Sequence, residues 1–442
     1  MAVSSADTWK APVALILAAV LVRVLLSGAF GLSEDEAYYW VWGQHLAAGY
    51  FDHPPAVAWV IRAGTALLGD TERGVRLVGI LLGGAAAGLA AAAGRDRLLV
   101  AFAMISLPLF ALGGVLATPD VPLLAAWSLG ILAASRERWE LLGVACGLAM
   151  LSKYTGVLLL PLVVAARPES LQTRGPWLAG AIAFLVYLPN ALWNHSHDLV
   201  SWSFQLNHVA EEARRLDFLG AQIGLAGPVV FFVAAAWWTV GWRGDAVERV
   251  CWWTSLPVLV VGMWAGGEAN WAAPAFIGPI VGISRRVGRW KRALWMGSGI
   301  SLTLSAMVML HAVHPIIDLP NDPMHRLIGG EILADSVTAW GIDAVYTERY
   351  QEAALIHFYS GIPAHALPGA ARPDQYDLWP VELADHALFV RVRRGSREIP
   401  DLDAAGYRFD QIGTVSAYAP TTDPLSDRPV ARWNVVEVWR AE

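Results

Sequence analysis

The sequence predicts a polytopic α-helical membrane protein of about eleven spans that ends in a small C-terminal α/β domain. Three observations predict it. Of the 442 residues, 56% are hydrophobic and only 16% charged, against about 25% charged in an average soluble domain. Apolar runs near spanning length recur through the first 314 residues, and beyond His314 they shorten and alternate with polar segments. A mean hydropathy of +0.44 and 22 Trp fit a chain anchored repeatedly at membrane interfaces. The net charge of −6 leaves no basic field for nucleic acid, which excludes that class of partner. Cys146 and Cys251 lie inside apolar runs and read as small hydrophobes rather than as a disulfide or metal pair.

The first run covers residues 11–30, with Lys10 before it. A cleavable signal peptide is the competing reading. It is weakened because the run exceeds a usual signal core and passes straight into an acidic segment at 33–37. Further runs cover 75–93, 98–117, 121–134, 176–193, 219–240, 250–265, 271–283 and 293–313. Arg95 and Arg97, Arg136 and Arg138, Arg167 and Arg174, Arg243 and Arg249, and the cluster Arg285, Arg286, Arg289, Lys291 and Arg292 fall on one set of loops. The positive-inside rule makes those loops cytoplasmic. Acidic residues and histidines, among them Asp35, Asp52, His53, Asp120, His195 and Glu268, gather on the other set.

Residues 141–165 lie between two basic loops, so they cross an even number of times or not at all. They break at Ser152-Lys153-Tyr154 into two apolar halves, each roughly 20 Å long as a helix against a core of about 30 Å. A pair of short helices meeting near the lysine is the economical solution. The alternative is one kinked span with Lys153 snorkelling, which reverses every later loop. In both cases a lysine within the membrane is a functional candidate.

The composition divides the chain at residues 1–314 and 315–442, with 315–323 as a linker. Residues 343–347, 364–367 and 387–392 read as strands and 350–359 as a helix. With the N-terminus inside, the span count places this second part outside the membrane, in the periplasm of a bacterium. No internal repeat or inverted symmetry is evident.

Chemistry-bearing residues concentrate in the first outer loop, Ser33-Glu34-Asp35-Glu36-Ala37-Tyr38-Tyr39-Trp40 followed by Gly49-Tyr50-Phe51-Asp52-His53-Pro54-Pro55. A carboxylate here can accept a proton from an attacking hydroxyl, and the neighbouring aromatic rings can pack on sugar faces or lipid. Read from the residues alone, the segment serves equally as an interfacial aromatic belt with solvated acids. Lys153 adds a cation, and Thr118-Pro119-Asp120 another outer carboxylate. That combination suits transfer from a phosphate leaving group.

The ordered set Asp35-Glu36-Ala37-Tyr38-Tyr39, Tyr50-Phe51-Asp52-His53-Pro54-Pro55, Thr118-Pro119-Asp120, Ser152-Lys153-Tyr154-Thr155, Pro189-Asn190 with Trp193-Asn194, and Glu268-Ala269-Asn270-Trp271 resembles the bacterial glycosyltransferase 39 group. That group is similar to the protein O-mannosyltransferases and the lipid A aminoarabinose transferase, all of the GT-C fold. The later stretches Arg349-Tyr350-Gln351 and Gln375-Tyr376-Asp377-Leu378-Trp379 resemble it too.

The resemblance implies a polyprenyl-phosphate-linked sugar as donor, a membrane lipid or glycolipid as acceptor, and inverting transfer on the periplasmic face. It implies Asp35 as the catalytic acid residue, with Glu36 beside it, and Lys153 with His53 on the donor phosphate. Asp52, Tyr38, Tyr39, Asp120, Tyr154, Asn194, Glu268 and Asn270 are the expected substrate-binding positions. The chain departs from the aminoarabinose branch in carrying Asp-His where that branch has Glu-Lys, so sugar and acceptor do not carry over from it.

A nucleotide-type phosphate loop is absent from the sequence. No cofactor and no metal are expected, although His195, His197 and His208 with Asp198, Glu211 or Glu212 have permissive spacing for a divalent ion. Two other functions compete: a protein O-glycosyltransferase of the same fold, and a lipid or sugar transporter or flippase. The lack of repeats argues against the transporter.

Overall fold

The computed structural model describes residues 7–208, 215–265, 268–314, 322–382, 384–392, 407–418 and 429–440. The chain forms two compact units that are not contiguous in sequence. The first comprises Met1–Ser27, Ala47–Gly64 and Arg76–Val308, and the second Gly28–Leu46, Thr65–Val75 and Met309–Glu442.

The first unit is helical. Among the described residues, Thr8–Leu26, Glu72–Ala93, Gly175–Ser196 and Arg289–Val313 are long and apolar enough to cross a membrane, and a fifth candidate is the bent pair Arg215–Ala226 and Pro228–Trp238. Several runs that read as continuous in the sequence are broken, each for a local reason. The run at 98–117 stops being one helix at Leu107-Pro108, where a new turn starts, because proline has no N–H to give and its ring clashes with the preceding turn. The carbonyls freed there are claimed from elsewhere: Arg23 donates to the Ile105 carbonyl at 3.1 Å and Ser305 to that of Ser106 at 2.9 Å. The run at 219–240 bends by 108° at Gly227, whose φ of +76° precedes Pro228. A left-handed residue followed by proline ends one helix and starts another.

Helix Trp139–Ser152 ends at Lys153, which is extended with φ −156° and ψ 142°. The chain then runs through a 3-10 turn, Tyr154–Leu158, into helix Leu159–Ala166. A Cβ on Gly156 would lie 2.3 Å from the Ala149 carbonyl carbon. In a straight helix those residues would be about 10 Å apart. The chain therefore turns sharply at the lysine between two short helices. Helix Trp139–Ser152 also packs closely on Gly175–Ser196. Gly143 and Gly147 make the approach possible, since added Cβ atoms would sit 2.6 Å from the Ala179 carbonyl oxygen and 2.5 Å from Val186 Cβ. Small residues four apart clear one helix face in this way.

The second unit contains a sheet of order β2-β1-β3-β5-β4, with β1 Val345–Thr347, β2 Ala364–Ala366, β3 His386–Val392, β4 Tyr407–Tyr418 and β5 Pro429–Arg440. Strand β1 pairs in parallel with β2 and β3, and β5 runs antiparallel to both β3 and β4. Helix Tyr350–Ser360 connects β1 to β2 and ends at Gly361, with φ +73°, the left-handed C-terminal stop that glycine tolerates best. In β1 and β3 the residues Val345, Tyr346, Leu388, Phe389 and Val390 are all buried, as expected for strand segments covered on both faces. Helices Glu34–Gln44 and Gly330–Ala339 belong to the same unit.

Candidate active site

In the first unit, Lys153 is 6% exposed and its ammonium donates to Asp120 Oδ1 at 2.9 Å. Asn270 donates to the other carboxylate oxygen, Oδ2, at 2.5 Å. Each position follows from a backbone device. Lys153 sits at the turn between the two short helices, Asp120 opens helix Asp120–Ser135, and Asn270 lies in the 3-10 segment Ala269–Phe276. A charge so nearly buried needs a counter-ion, and Asp120 supplies it. An ammonium carries three donors, and Asp120 is its one hydrogen-bond partner among the described residues. The remaining donors suit an anionic group such as a phosphate.

A second network adjoins the same turn. Tyr154 donates to Ser201 Oγ at 2.7 Å, and Asn194 Nδ2 donates to the Tyr154 oxygen at 3.2 Å. Asn190, one helical turn before Asn194, donates to the Ala48 carbonyl at 2.8 Å. Gly49 packs so tightly on Trp193 that a Cβ would come within 2.4 Å of the indole. Gln205 donates to the Asp52 backbone carbonyl at 2.7 Å, and the Tyr50 N–H to the His53 carbonyl at 3.2 Å. The Asp52-His53 segment is thus fixed through its backbone to helices Gly175–Ser196 and Val200–His208. Asp52 is buried and His53 half-buried. Glu268 is exposed and directly precedes the 3-10 segment that carries Asn270.

The second unit holds Asp35, Glu36, Tyr38 and Tyr39 on helix Glu34–Gln44. Ser33 caps this helix in a reciprocal box: its hydroxyl accepts from the Glu36 N–H, and its own N–H donates to Glu36 Oε2 at 3.0 Å. Glu36 is fully buried. Its carboxylate therefore has a structural use, and the sequence pattern Ser-x-x-Glu carries that signal.

Asp35 accepts a hydrogen bond from the Tyr350 hydroxyl at 3.1 Å. Burial raises the Asp35 carboxyl above the usual carboxylate range, while the Tyr350 hydrogen bond and the positive charges of Arg326 and Arg372 pull it back only in part. Glu34 is raised as well, first by burial and then by repulsion from Glu352. Tyr38 is 1% exposed. Its ring meets those of Trp42 at 4.9 Å and Tyr350 at 4.2 Å, and its oxygen accepts the Gln375 N–H at 2.7 Å. Tyr39 packs on Trp42 with ring centroids 4.9 Å apart. These tyrosines serve as core of the second unit in this structure.

Sequence reasoning did not single out Asn190, Gln205, Ser201, Tyr350 or Arg372 as site residues. Asn190 and Tyr350 lie inside quoted motifs, and the others carry no local signal. Glu211 and Glu212 fall outside the described residues. Among the described residues no group of three or more His, Cys, Asp or Glu side chains is placed to hold a metal ion.

Residues 52–193 match the family model described as dolichyl-phosphate-mannose-protein mannosyltransferase. The chain is 30% identical over 429 residues to the lipid A galacturonosyltransferase RgtD of Rhizobium johnstonii, covering 85% of this chain and 89% of that protein. It is also 30% identical over 257 residues to the undecaprenyl phosphate-alpha-4-amino-4-deoxy-L-arabinose arabinosyl transferase of Pseudomonas paraeruginosa, covering 51% of this chain and 41% of that protein. The crystal structure of ArnT from Cupriavidus metallidurans bound to undecaprenyl phosphate superposes with a TM-score of 0.65 at 16% identity, over 96% of this chain and 97% of that one. That likeness establishes the GT-C fold of a multi-pass membrane protein. Near full-length similarity at this identity, on the same fold, makes the chain a member of the GT-C membrane glycosyltransferase family to which the lipid A galacturonosyltransferase belongs.

Proposed function

We propose that this glycosyltransferase moves a sugar from a polyprenyl-phosphate donor to a lipid acceptor of the cell envelope, with lipid A as the first candidate. The observation that carries the proposal is the 30% identity spanning 89% of a lipid A galacturonosyltransferase. Transfer is a single inverting displacement. The acceptor oxygen attacks the anomeric carbon, its proton passes to the Asp35 carboxylate, and the bond from the anomeric carbon to the phosphate oxygen breaks. Polyprenyl phosphate leaves with the electron pair. Lys153 offsets the charge that develops on it, and His53 adds to this when protonated. Donors fixed before the reaction stabilise such charge without reorganising. The raised carboxyl of Asp35 brings the base closer to neutral pH, which improves proton acceptance.

The remaining assignments are part of the same proposal. Asp52, Asp120, Tyr154, Asn194, Glu268 and Asn270 line the substrate path. The chain has about eleven spans with its N-terminus inside, and 315–442 lie in the periplasm; the contiguous division at residue 314 gives way to two units that interleave in sequence, because the segments 28–46 and 65–75 pack with the C-terminal part. No metal or cofactor takes part.

The test uses full-length protein in nanodiscs with a polyprenyl-phosphate sugar and lipid A, read by mass spectrometry of the lipid product. Wild type gives a product one sugar heavier, and Asp35→Asn gives none while still binding polyprenyl phosphate. Modified protein in place of lipid would establish the O-glycosyltransferase reading. Donor translocation without any glycosyl product would establish the transporter.

A further inference from the structure

Helix Glu34–Gln44 is met, within the second unit, by chain more than 300 residues later. The Tyr350 hydroxyl donates to Asp35 Oδ1 at 3.1 Å across a sequence separation of 315. Arg372 donates to that same hydroxyl oxygen at 3.4 Å, and its guanidinium lies 5.4 Å from the centre of the Tyr350 ring. A second support comes from Tyr38, whose ring centroid is 4.2 Å from that of Tyr350. Tyr38 is itself held by the Gln375 N–H at 2.7 Å and by ring contact with Tyr376 at 6.0 Å. A phenol packed against the Tyr38 ring and held by a guanidinium has little freedom to swing away. Its single proton is committed to the carboxylate, because Arg372 can only donate.

We propose that Tyr350, held by Arg372 and Tyr38, is the positioning residue for Asp35: it fixes one carboxylate oxygen and leaves the other aimed at the acceptor hydroxyl. The inference rests on the reading of Asp35 as the base. It gives the C-terminal segment a direct part in catalysis through a residue that touches the base and not the substrate. The direction of its effect on proton affinity follows from the chemistry. A hydrogen bond donated to a carboxylate favours the charged form, so loss of the Tyr350 hydroxyl makes Asp35 a stronger base that is protonated at higher pH. The other charged and titratable groups facing Asp35 are Arg326 and Arg372, which act in the same direction as Tyr350, and Glu36, which opposes them. Glu34, its neighbour on the helix, carries a carboxyl raised by burial.

The experiment compares wild type, Tyr350→Phe, Arg372→Lys, Arg372→Ala and Asp35→Asn as full-length protein, with kcat and KM measured across pH 5 to 9. Tyr350→Phe keeps the ring contacts and removes the proton donor. It is expected to lower kcat about tenfold with little change in donor KM, and to move the acid limb of kcat/KM upward by about one pH unit. Arg372→Ala should give the same upward displacement to a smaller extent, and Arg372→Lys should restore most of it. An inactive Asp35→Asn variant together with an unmoved acid limb in Tyr350→Phe overturns the positioning role while leaving the base in place. An active Asp35→Asn variant overturns the base assignment itself, whatever Tyr350 does. A Tyr350→Phe variant whose loss is confined to KM assigns the hydroxyl to substrate binding and overturns the proposal as well.

Discussion

Removing the Asp120 carboxylate isolates Lys153, and the structure fixes how large the effect should be. The two groups are 2.9 Å apart with side chains 8% and 9% exposed. At that distance the attraction is about 6 kcal/mol with an effective dielectric of 20, most of it cancelled by the cost of desolvating both ions. The intact pair therefore adds little net stability, but half a pair is costly. Asp120→Ala leaves a buried ammonium without a counter-ion and is expected to destabilise the protein by about 3–5 kcal/mol. Lys153→Met leaves Asp120 with the Asn270 amide still donating at 2.5 Å, so its cost should fall at the lower end of that range.

The double variant removes both charges. It should recover to within about 2 kcal/mol of wild type, which against the costs of the two single variants gives a coupling energy of about 4 kcal/mol or more in a double-mutant cycle. Unfolding of the four proteins in one detergent, followed by tryptophan fluorescence, measures the cycle. A coupling below about 0.5 kcal/mol, or a double variant no better than Asp120→Ala, would falsify the view that the two side chains are a dependent pair in a water-poor site.

Three further outcomes follow from named contacts. Gly156→Ala forces a methyl against the Ala149 carbonyl, only 2.3 Å from its carbon, and because backbone cannot yield easily the folded yield should fall, with a loss of about 3 kcal/mol; a variant as stable as wild type shows that the turn at Lys153 is looser than described. Tyr38→Phe strips the acceptor from the buried Gln375 N–H and should cost about 1–3 kcal/mol, seen as faster amide exchange at Gln375; unchanged exchange there removes the bond from the account. Because burial raises the Asp35 carboxyl, wild-type kcat/KM should fall as pH drops through a value above the usual carboxylate range, and an acid limb at or below pH 4 contradicts that environment.

Much of the architecture was legible because it depends on periodicity and composition. The shortage of charge, the apolar runs and the break at Ser152-Lys153-Tyr154 needed no knowledge of the fold. Strands β1 to β3 and helix Tyr350–Ser360 were visible for the same reason, each being a short apolar element bounded by polar residues. The bend at Gly227-Pro228 was legible in principle, as a glycine followed by proline, but an unbroken hydropathy profile hides it. Strands β4 and β5 carry polar and charged residues interleaved with apolar ones, so no apolar run marks them in the sequence.

What the sequence determined by itself is the solvent the chain lives in and the residue types available for chemistry, since both are set by local composition. Which groups meet was decided by the tertiary structure alone. Lys153 finds its counter-ion 33 residues away, and Asp35 its hydrogen-bond donor 315 residues away. Tyr38, which as a sequence feature could have faced a sugar, is instead packed between Trp42 and Tyr350. Glu36, adjacent to the proposed base, is held by its own helix cap. A carboxylate's role depends on the few ångströms around it, and contacts between residues remote in the chain leave no trace in spacing or periodicity.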